Sequence, residues 1–236
     1  MRSCLIQLLL AVAVIFALLW FGLPFGAGWL ATNALNAAGF TGTDTKVTVS
    51  ADLPPRILLG HADEIHLTST DASVGGLYAA SIDVTLGEVE LIDRTFATVS
   101  GTLSGVRVPA PNGDPVTIDN VTLDGAGTGA NSTLTMSTAE AEALAVSQIK
   151  SQLGTQATVK LSAPDVMTIT INGHSQTGHL VAPDGGLLLA FDSAALPTVT
   201  LIGAGHGNPF TFTSVIVTAG TVTLGGTIDV QSLLGL

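Results

Sequence analysis

The sequence predicts a β-rich α+β protein, in which curved antiparallel sheet packs on one or two helices behind an N-terminal transmembrane or signal helix. Three observations predict this class. Residues 5–23 read LIQLLLAVAVIFALLWFGL and contain no charge. From Lys46 onward, aliphatic residues alternate with Thr, Ser and Asp, a period of two that is typical of strands with one covered face. Residues 137–153 instead show a capping box and helical spacing.

The first segment, residues 1–24, is predicted to be a transmembrane anchor or a signal peptide. As a helix, its apolar run would be about 28 Å long, which matches one hydrocarbon core. Arg2 precedes the run and no Lys or Arg follows until Lys46, so the body is expected on the extracytoplasmic side of the cell membrane. The length favours a retained single-pass anchor. Cleavage near residues 26–28 is the alternative, and it would make the protein secreted.

Residues 25–39 are predicted to form a juxtamembrane helix. Trp29 is a residue type that is enriched at membrane interfaces. The sequence GWLATNALNAA resumes a helical pattern, and Gly39 is placed to end it. Residues 40–236 then form the β-rich domain.

A single helical turn is expected between the first two strands, in LPPRILLG at residues 53–60. Asp52 is placed to cap this turn and Gly60 to end it. Its three consecutive aliphatic residues, Ile57, Leu58 and Leu59, cannot all face inward on one turn. We interpret the turn either as a plug of the core or as the lip of an apolar opening or a membrane-facing patch.

One helix is expected inside the domain, because Ser137 and Glu140 have the spacing of a capping box and Gly154 follows the last turn. After this helix, strands are expected on both sides of two turns: Asn172-Gly173, a two-residue hairpin signal, and Pro183-Asp184-Gly185-Gly186.

Two segments of the sequence are similar to each other: TKVTVSADLP (residues 45–54) and ATVKLSAPDV (residues 157–166) can be laid over each other. A duplicated helix-plus-sheet unit is therefore a possible form of the fold.

The composition excludes some classes of function and favours others. The net charge is −11, with 7 basic and 18 acidic residues, which argues against a nucleic-acid partner. Charged residues are 11% of the chain and hydrophobic residues 47%, whereas charged residues usually make up about 25%. The surplus of apolar residues indicates either a large core or a surface for an apolar ligand.

No pattern in the sequence predicts catalysis, a cofactor or a metal site. His61 and His66 are five positions apart, as are His174 and His179, and an odd separation places side chains on opposite faces of a strand. Ser104 lacks the glycine that precedes the nucleophile in a serine elbow. We therefore expect a protein that is not an enzyme.

One stretch, LPPRILLGHADEIHLTSTDASVGGLYAASIDVTLGEVEL at residues 53–91, resembles the LmeA-like phospholipid-binding family of envelope proteins, found mainly in actinobacteria. The capped helix downstream and Pro-Asp-Gly-Gly-Leu-Leu-Leu at residues 183–189 are similar to that family as well. The resemblance implies an extracytoplasmic, β-rich protein of the periplasm or cell envelope that binds phospholipid. It supplies no catalytic motif.

We therefore expect a membrane-anchored extracytoplasmic lipid-binding protein, which holds the acyl chains of a phospholipid or another membrane lipid in an apolar cleft, for binding or transfer. Its partners would be that lipid and the bilayer that holds the N-terminal helix. The alternative is a non-enzymatic envelope scaffold or adhesion module, whose aliphatic residues all belong to the core. The candidate lining of the cleft comprises Ile57, Leu58, Leu59, Leu144 and Ile149.

Overall fold

A computed structural model describes residues 40–74, 77–93, 95–108, 115–193, 196–204 and 210–230. The anchor or signal peptide and the juxtamembrane helix predicted for residues 1–39 lie outside these ranges. Within the ranges, the protein is β-rich, with antiparallel sheet and one α-helix, as the sequence predicts. The elements are β1 (Thr41–Ser50), a 3-10 helix (Pro54–Leu59), β2 (His61–Val74), β3 (Leu77–Glu90), β4 (Thr95–Val108), β5 (Val116–Ala126), β6 (Ala130–Ser137), α1 (Thr138–Leu153), β7 (Ala157–Ser162), β8 (Val166–Ile171), β9 (His174–Val181), β10 (Leu187–Phe191), β11 (Val199–Ile202), β12 (Phe210–Thr218) and β13 (Thr221–Ile228).

Two antiparallel sheets form the body. The larger sheet has eight strands in the order β1-β2-β3-β4-β5-β6-β13-β12, and it is curled like half of a barrel. The smaller sheet has five strands in the order β11-β10-β9-β8-β7. The chain therefore builds six strands of the large sheet, then α1 and the small sheet, and returns to complete the large sheet beside β6.

Left-handed backbone conformations interrupt the long strands of the large sheet. Asp71 in β2 has φ 48°, Glu88 in β3 has φ 51° and Gly105 in β4 has φ 56°. Each such residue breaks the regular pleat, so the side chains beyond it exchange faces. In β2, for example, the inner face changes from odd positions such as Ser69 to even ones such as Ala72, both of which are buried.

The predicted turns of the small sheet are confirmed. Asn172 and Gly173 have φ values of 51° and 80°, and Asp184 and Gly185 have φ values of 51° and 83°. Positive φ at both central residues is what a type I′ hairpin turn requires, which is why Asn-Gly and Asp-Gly are favoured there. These turns fix the register of β8 with β9 and of β9 with β10.

Helix α1 has the ends that the sequence predicts. The side-chain oxygen of Ser137 accepts a hydrogen bond from the backbone N–H of Glu140 at 3.2 Å. Gly154 ends the helix in the left-handed conformation, with φ 67°, and its N–H donates to the carbonyl of Lys150 at 3.0 Å. The buried face of α1 carries Ala141, Leu144, Ala145, Gln148 and Ile149.

The turn between β1 and β2 differs from the prediction in its cap. The residue at the N-terminal cap is Leu53, and no side chain caps the turn, so the assignment of this role to Asp52 is wrong. The backbone N–H of Asp52 donates to a carboxylate oxygen of Asp63 at 2.5 Å instead. Gly60 ends the turn as predicted, with φ 87°.

The two segments that can be laid over each other in sequence begin the two sheets. Residues 45–50 lie in β1 and residues 157–162 form β7, and each of these is an edge strand paired antiparallel with the strand that follows it. The duplicated unit stays a prediction, because the helix that would precede β1 falls on residues outside the described ranges.

The core lies between α1, the small sheet and one half of the large sheet. Helix α1 contacts β7 and β11 of the small sheet and β5, β6 and β13 of the large one. Two backbone hydrogen bonds also join the sheets: the N–H of Val217 donates to Pro164 at 2.6 Å, and the N–H of Phe212 donates to Gly185 at 3.0 Å. The core also reaches β1 to β4 at the end of these strands near the turns that follow β1 and β3, where Val49, Ala62, Val89, Phe96 and Val99 are buried.

Candidate functional site

The inner face of the large sheet, which carries the core, is covered unevenly. A row of directly paired residues crosses it from β3 to β13, and paired residues in a sheet share one face. Ile82 and Leu103, in β3 and β4, are partly exposed. Val121, Leu134 and Leu224, further along the same row, are 4%, 2% and 0% exposed. Along this row, the packing over the inner face therefore ends near β4.

The partly exposed side of the inner face forms an apolar trough. We use this name for six aliphatic side chains on three neighbouring strands, all of them partly exposed: Ile65, Leu67, Ile82, Val84, Leu86 and Leu103. Leu67 is paired with Val84, and Ile65 with Leu86. With strands about 4.8 Å apart and about 3.4 Å of rise per residue, the trough is roughly 10 Å wide and 14 Å long.

The trough is uncharged, and the charges of these strands lie on the opposite face. His66 and Asp83, adjacent in sequence to trough residues, point outward and pair with an Nε2–Oδ1 distance of 2.8 Å. Ser69 lies on the inner face at one end of the trough, and its hydroxyl is satisfied by Thr45 at 2.8 Å. The trough therefore offers hydrocarbon and no ionic group, a lining that suits an apolar ligand.

The structure does not bring the five predicted lining residues together. Leu144 and Ile149 lie on the buried face of α1, 6% and 0% exposed, and belong to the closed core. Ile57 is also buried, at 9%, whereas Leu58 and Leu59 are 64% and 68% exposed at the far end of the large sheet. Each interpretation of the turn thus describes part of it: Ile57 plugs the core, and its two neighbours face outward.

Sequence reasoning missed the trough residues as candidates, although it identified the signal that marks them. The alternation of Ile65 and Leu67, and of Ile82, Val84 and Leu86, places each set on one face of a strand. Alternation does not show whether another layer covers that face. The sequence therefore identified an apolar face without showing that part of it lies open.

A groove of about 410 Å³ lies on the small sheet and is lined by Thr168, Ser175, Gln176, Thr177, Asp192 and Ser193. The side-chain oxygen of Gln176 is buried there without a hydrogen-bond partner. Beside the groove, the ring nitrogens of His179 lie 3.4 Å from Asp165 and 3.3 Å from Asp192. An acyl chain in this groove would desolvate the carboxylate of Asp192 and leave the amide oxygen of Gln176 without a partner, which disfavours that occupant.

His61, His66 and His179 each pair with carboxylates at the protein surface. His61 lies 2.6 Å from Glu90, and His66 lies 2.8 Å from Asp83. Within the part of the chain that the structure describes, no group of three or more His, Cys, Asp or Glu residues is arranged to hold a metal ion. The same part of the chain contains no helix with the length and hydropathy needed to cross a bilayer.

Comparison with protein-family models finds no match to this chain, and comparisons with curated proteins and with solved structures find none either.

Proposed function

We propose that the chain is a membrane-anchored extracytoplasmic lipid-binding protein, which holds the acyl chains of a phospholipid or another membrane lipid in the trough of β2, β3 and β4. The proposal has no catalytic step. It keeps the predicted anchor at residues 1–24 and the resemblance to the LmeA-like family as hypotheses. It moves the lipid from the predicted lining residues to the inner face of the large sheet.

One observation carries the proposal: along one row of paired residues on the inner face, Val121, Leu134 and Leu224 are buried whereas Ile82 and Leu103 are partly exposed. Burial of apolar surface contributes about 25 cal/mol per Å², or about 0.8 kcal/mol for each CH₂ group. A folded chain gains by covering such a face, and the described residues leave Leu67 and Val84 partly uncovered. An acyl chain lying across these residues would complete the layer that α1 and the small sheet begin.

A duplicated helix-plus-sheet unit would be consistent with this arrangement. In the second unit, α1 packs on the small sheet and closes it. In the first unit, the equivalent helix would be the one predicted at residues 25–39. A lipid and that helix are therefore the two occupants that an experiment must separate.

The proposal is tested by native mass spectrometry of the full chain, extracted from membranes in a mild detergent. We expect a population carrying the mass of one lipid. The double variant Leu67→Asn, Ile82→Asn should lose most of this population, because two amides would be buried against hydrocarbon. The double variant Thr68→Asn, Thr85→Asn changes the opposite face of the same strands and should keep it.

Two results would contradict the proposal. One is a wild-type chain that carries no lipid once the detergent is removed in the spectrometer. The other is equal lipid occupancy in both double variants. Either result would favour the envelope scaffold or adhesion module, whose apolar face is covered by protein.

A further inference from the structure

A second apolar surface lies at one end of the large sheet, outside the trough. Six large aliphatic side chains are more than 40% exposed among the described residues, and five of them occur in two turns. The turn between β1 and β2 contributes Leu53, Leu58 and Leu59, with exposures of 54%, 64% and 68%. The turn between β3 and β4 contributes Leu91 and Ile92, with exposures of 41% and 77%. We call these five residues the apolar tip.

The two turns of the apolar tip are fixed to each other. The N–H of Leu91 donates to the carbonyl of Gly60 at 2.7 Å, and the N–H of Gly60 donates to Ile57 at 3.0 Å. The side chain of Ile92 lies over Gly60, where a Cβ atom would stand 2.6 Å from its Cγ1. Ile57 points into the core from the same turn. The tip is therefore a supported surface whose aliphatic side chains are held outward.

The charges next to the apolar tip are mainly acidic, and several are paired. Arg56 lies 3.4 Å from Asp63, and His61 lies 2.6 Å from Glu90. In the two turns themselves, the sequence places Asp52 and Asp93 together with Arg56 and Arg94, so the turns have no excess of positive charge. A surface of this kind does not attract anionic headgroups electrostatically. It favours contact with an uncharged or zwitterionic medium through its aliphatic side chains.

The position of the tip relative to the rest of the chain indicates which surface the tip can contact. Residues 5–23 are an uncharged apolar run long enough to cross a bilayer. Residues 24–39 connect this run to the body and, fully extended, would span at most about 55 Å. The tip follows Ser50 at the end of β1, and that strand is about 34 Å long. A bilayer that holds residues 5–23 is thus within reach of the tip, and tethering keeps its local concentration high.

We propose that the apolar tip inserts its aliphatic side chains into the zwitterionic surface of the bilayer that anchors the same chain. Five aliphatic side chains on two turns make a small area beside the ~800 Å² that each partner buries in a standard protein interface. A fluid bilayer surface requires no complementary shape, so a small protruding surface is sufficient there.

This inference rests on the anchoring part of the proposed function and is independent of lipid in the trough. The test uses the full chain with Cys4→Ser and Leu59→Cys, labelled at position 59 with the environment-sensitive fluorophore NBD and reconstituted in phosphatidylcholine vesicles. The matched control is Ile216→Cys in the same background. Ile216 is 54% exposed on β12, away from the tip.

The label at position 59 should show blue-shifted emission and strong quenching by spin-labelled acyl chains in the same vesicles, whereas the label at position 216 should show several-fold less quenching. Added Leu58→Ser and Leu91→Ser substitutions should reduce the quenching at position 59 several-fold. Added salt should not change the quenching at position 59, because no ionic contact with the membrane is involved. These substitutions should not change the lipid mass seen by native mass spectrometry.

Three results would overturn the inference. The first is equal quenching at positions 59 and 216. The second is quenching at position 59 only by added vesicles, which would place the tip at a different membrane. The third is a blue shift without lipid quenching, which would indicate a contact with protein, such as a second copy of the chain. Loss of the bound lipid in trough variants, with quenching at position 59 retained, would separate the two proposals.

Discussion

The side-chain amide of Gln152, in the last turn of α1, is hydrogen-bonded to both backbone groups of Thr200 in the edge strand β11. Its Nε2 donates to the carbonyl of Thr200 at 2.6 Å, and its Oε1 accepts from the N–H of Thr200 at 3.1 Å. Glu142, near the other end of α1, accepts from the N–H of Leu161 in β7 at 2.9 Å. One helix thus satisfies backbone groups at both edges of the small sheet. Without these hydrogen bonds, the edge strands β7 and β11 would be open to pairing with a strand of another molecule.

Replacing Gln152 with alanine should lower the free energy of unfolding by about 1–2 kcal/mol, because two hydrogen bonds to the edge strand are lost. Urea unfolding followed by circular dichroism measures this change. Gln156→Ala removes another exposed glutamine, just after the helix, and should change stability by less than about 0.5 kcal/mol. Equal effects of the two substitutions would mean that the contact with Thr200 contributes little.

Replacing Ser137 with alanine should cost about 0.5–2 kcal/mol, because the N–H of Glu140 loses the oxygen that accepts its hydrogen bond at the start of α1. Thermal unfolding measures the effect. Ser151→Ala, on the exposed side of the same helix, should be neutral or slightly stabilising, since alanine has the higher helix propensity. A stable Ser137→Ala variant would show that packing alone fixes where α1 begins.

Replacing Gly101 with alanine should destabilise the protein by more than about 3 kcal/mol, because neighbouring strands approach too closely for a side chain. A Cβ atom at this position would stand 2.2 Å from the carbonyl oxygen of Asp83 and 2.7 Å from the Cα of Val84, and φ is 148°. Gly129→Ala is the control, since no atom lies within 4 Å of its Cβ position. Urea midpoints measure both, and similar midpoints would contradict the close approach of β3 and β4.

The pKa of Tyr78 should lie above its usual value of 10.0. The main cause is the hydrogen bond from its hydroxyl to Asp71, 2.7 Å long, followed by desolvation and by the negative charge of Asp71, while Arg107 acts in the opposite direction. The folded state therefore holds this proton more tightly than the unfolded state does. The stability that results is fully present below pH 10 and is lost as the pH rises through the raised pKa.

Tyr78 is the only tyrosine in the sequence, so ultraviolet absorbance at 295 nm reports its ionisation directly. The midpoint of the titration should lie above pH 10 in the wild type and should move back toward 10 in an Asp71→Asn variant. Arg107→Gln is a second check, because it removes a nearby positive charge and should move the midpoint further up. An unchanged midpoint in Asp71→Asn would contradict the assigned cause.

Local features of the fold were predictable because their causes lie close together in sequence. The cap at Ser137 and the hairpin turn at Asn172-Gly173 depend on residues a few positions apart. The role assigned to Asp52 failed because Leu53 occupies the cap position, and the two prolines that follow it have no backbone N–H to donate to a capping side chain.

The candidate site was predictable only in part. Alternation gave the apolar face of each strand, but the left-handed residue Asp71 moves the pattern to the opposite positions partway along β2. No period in the sequence indicates that Leu103 is partly exposed while Val121, its direct partner on β5, is buried. That difference arises because α1 and the small sheet, which follow later in the chain, cover β5 and not the middle of β4.

The sequence by itself determined that the body is β-rich, that its strands have one apolar face, and that one capped helix interrupts them. Only the tertiary structure decided where those faces meet a second layer, and it separated Leu58 and Leu59 from Leu144 and Ile149. The physical reason is the range of the interactions. Backbone propensity and periodicity act within a few residues, whereas burial depends on which distant segments pack together, as Gln152 and Thr200 do across 48 positions.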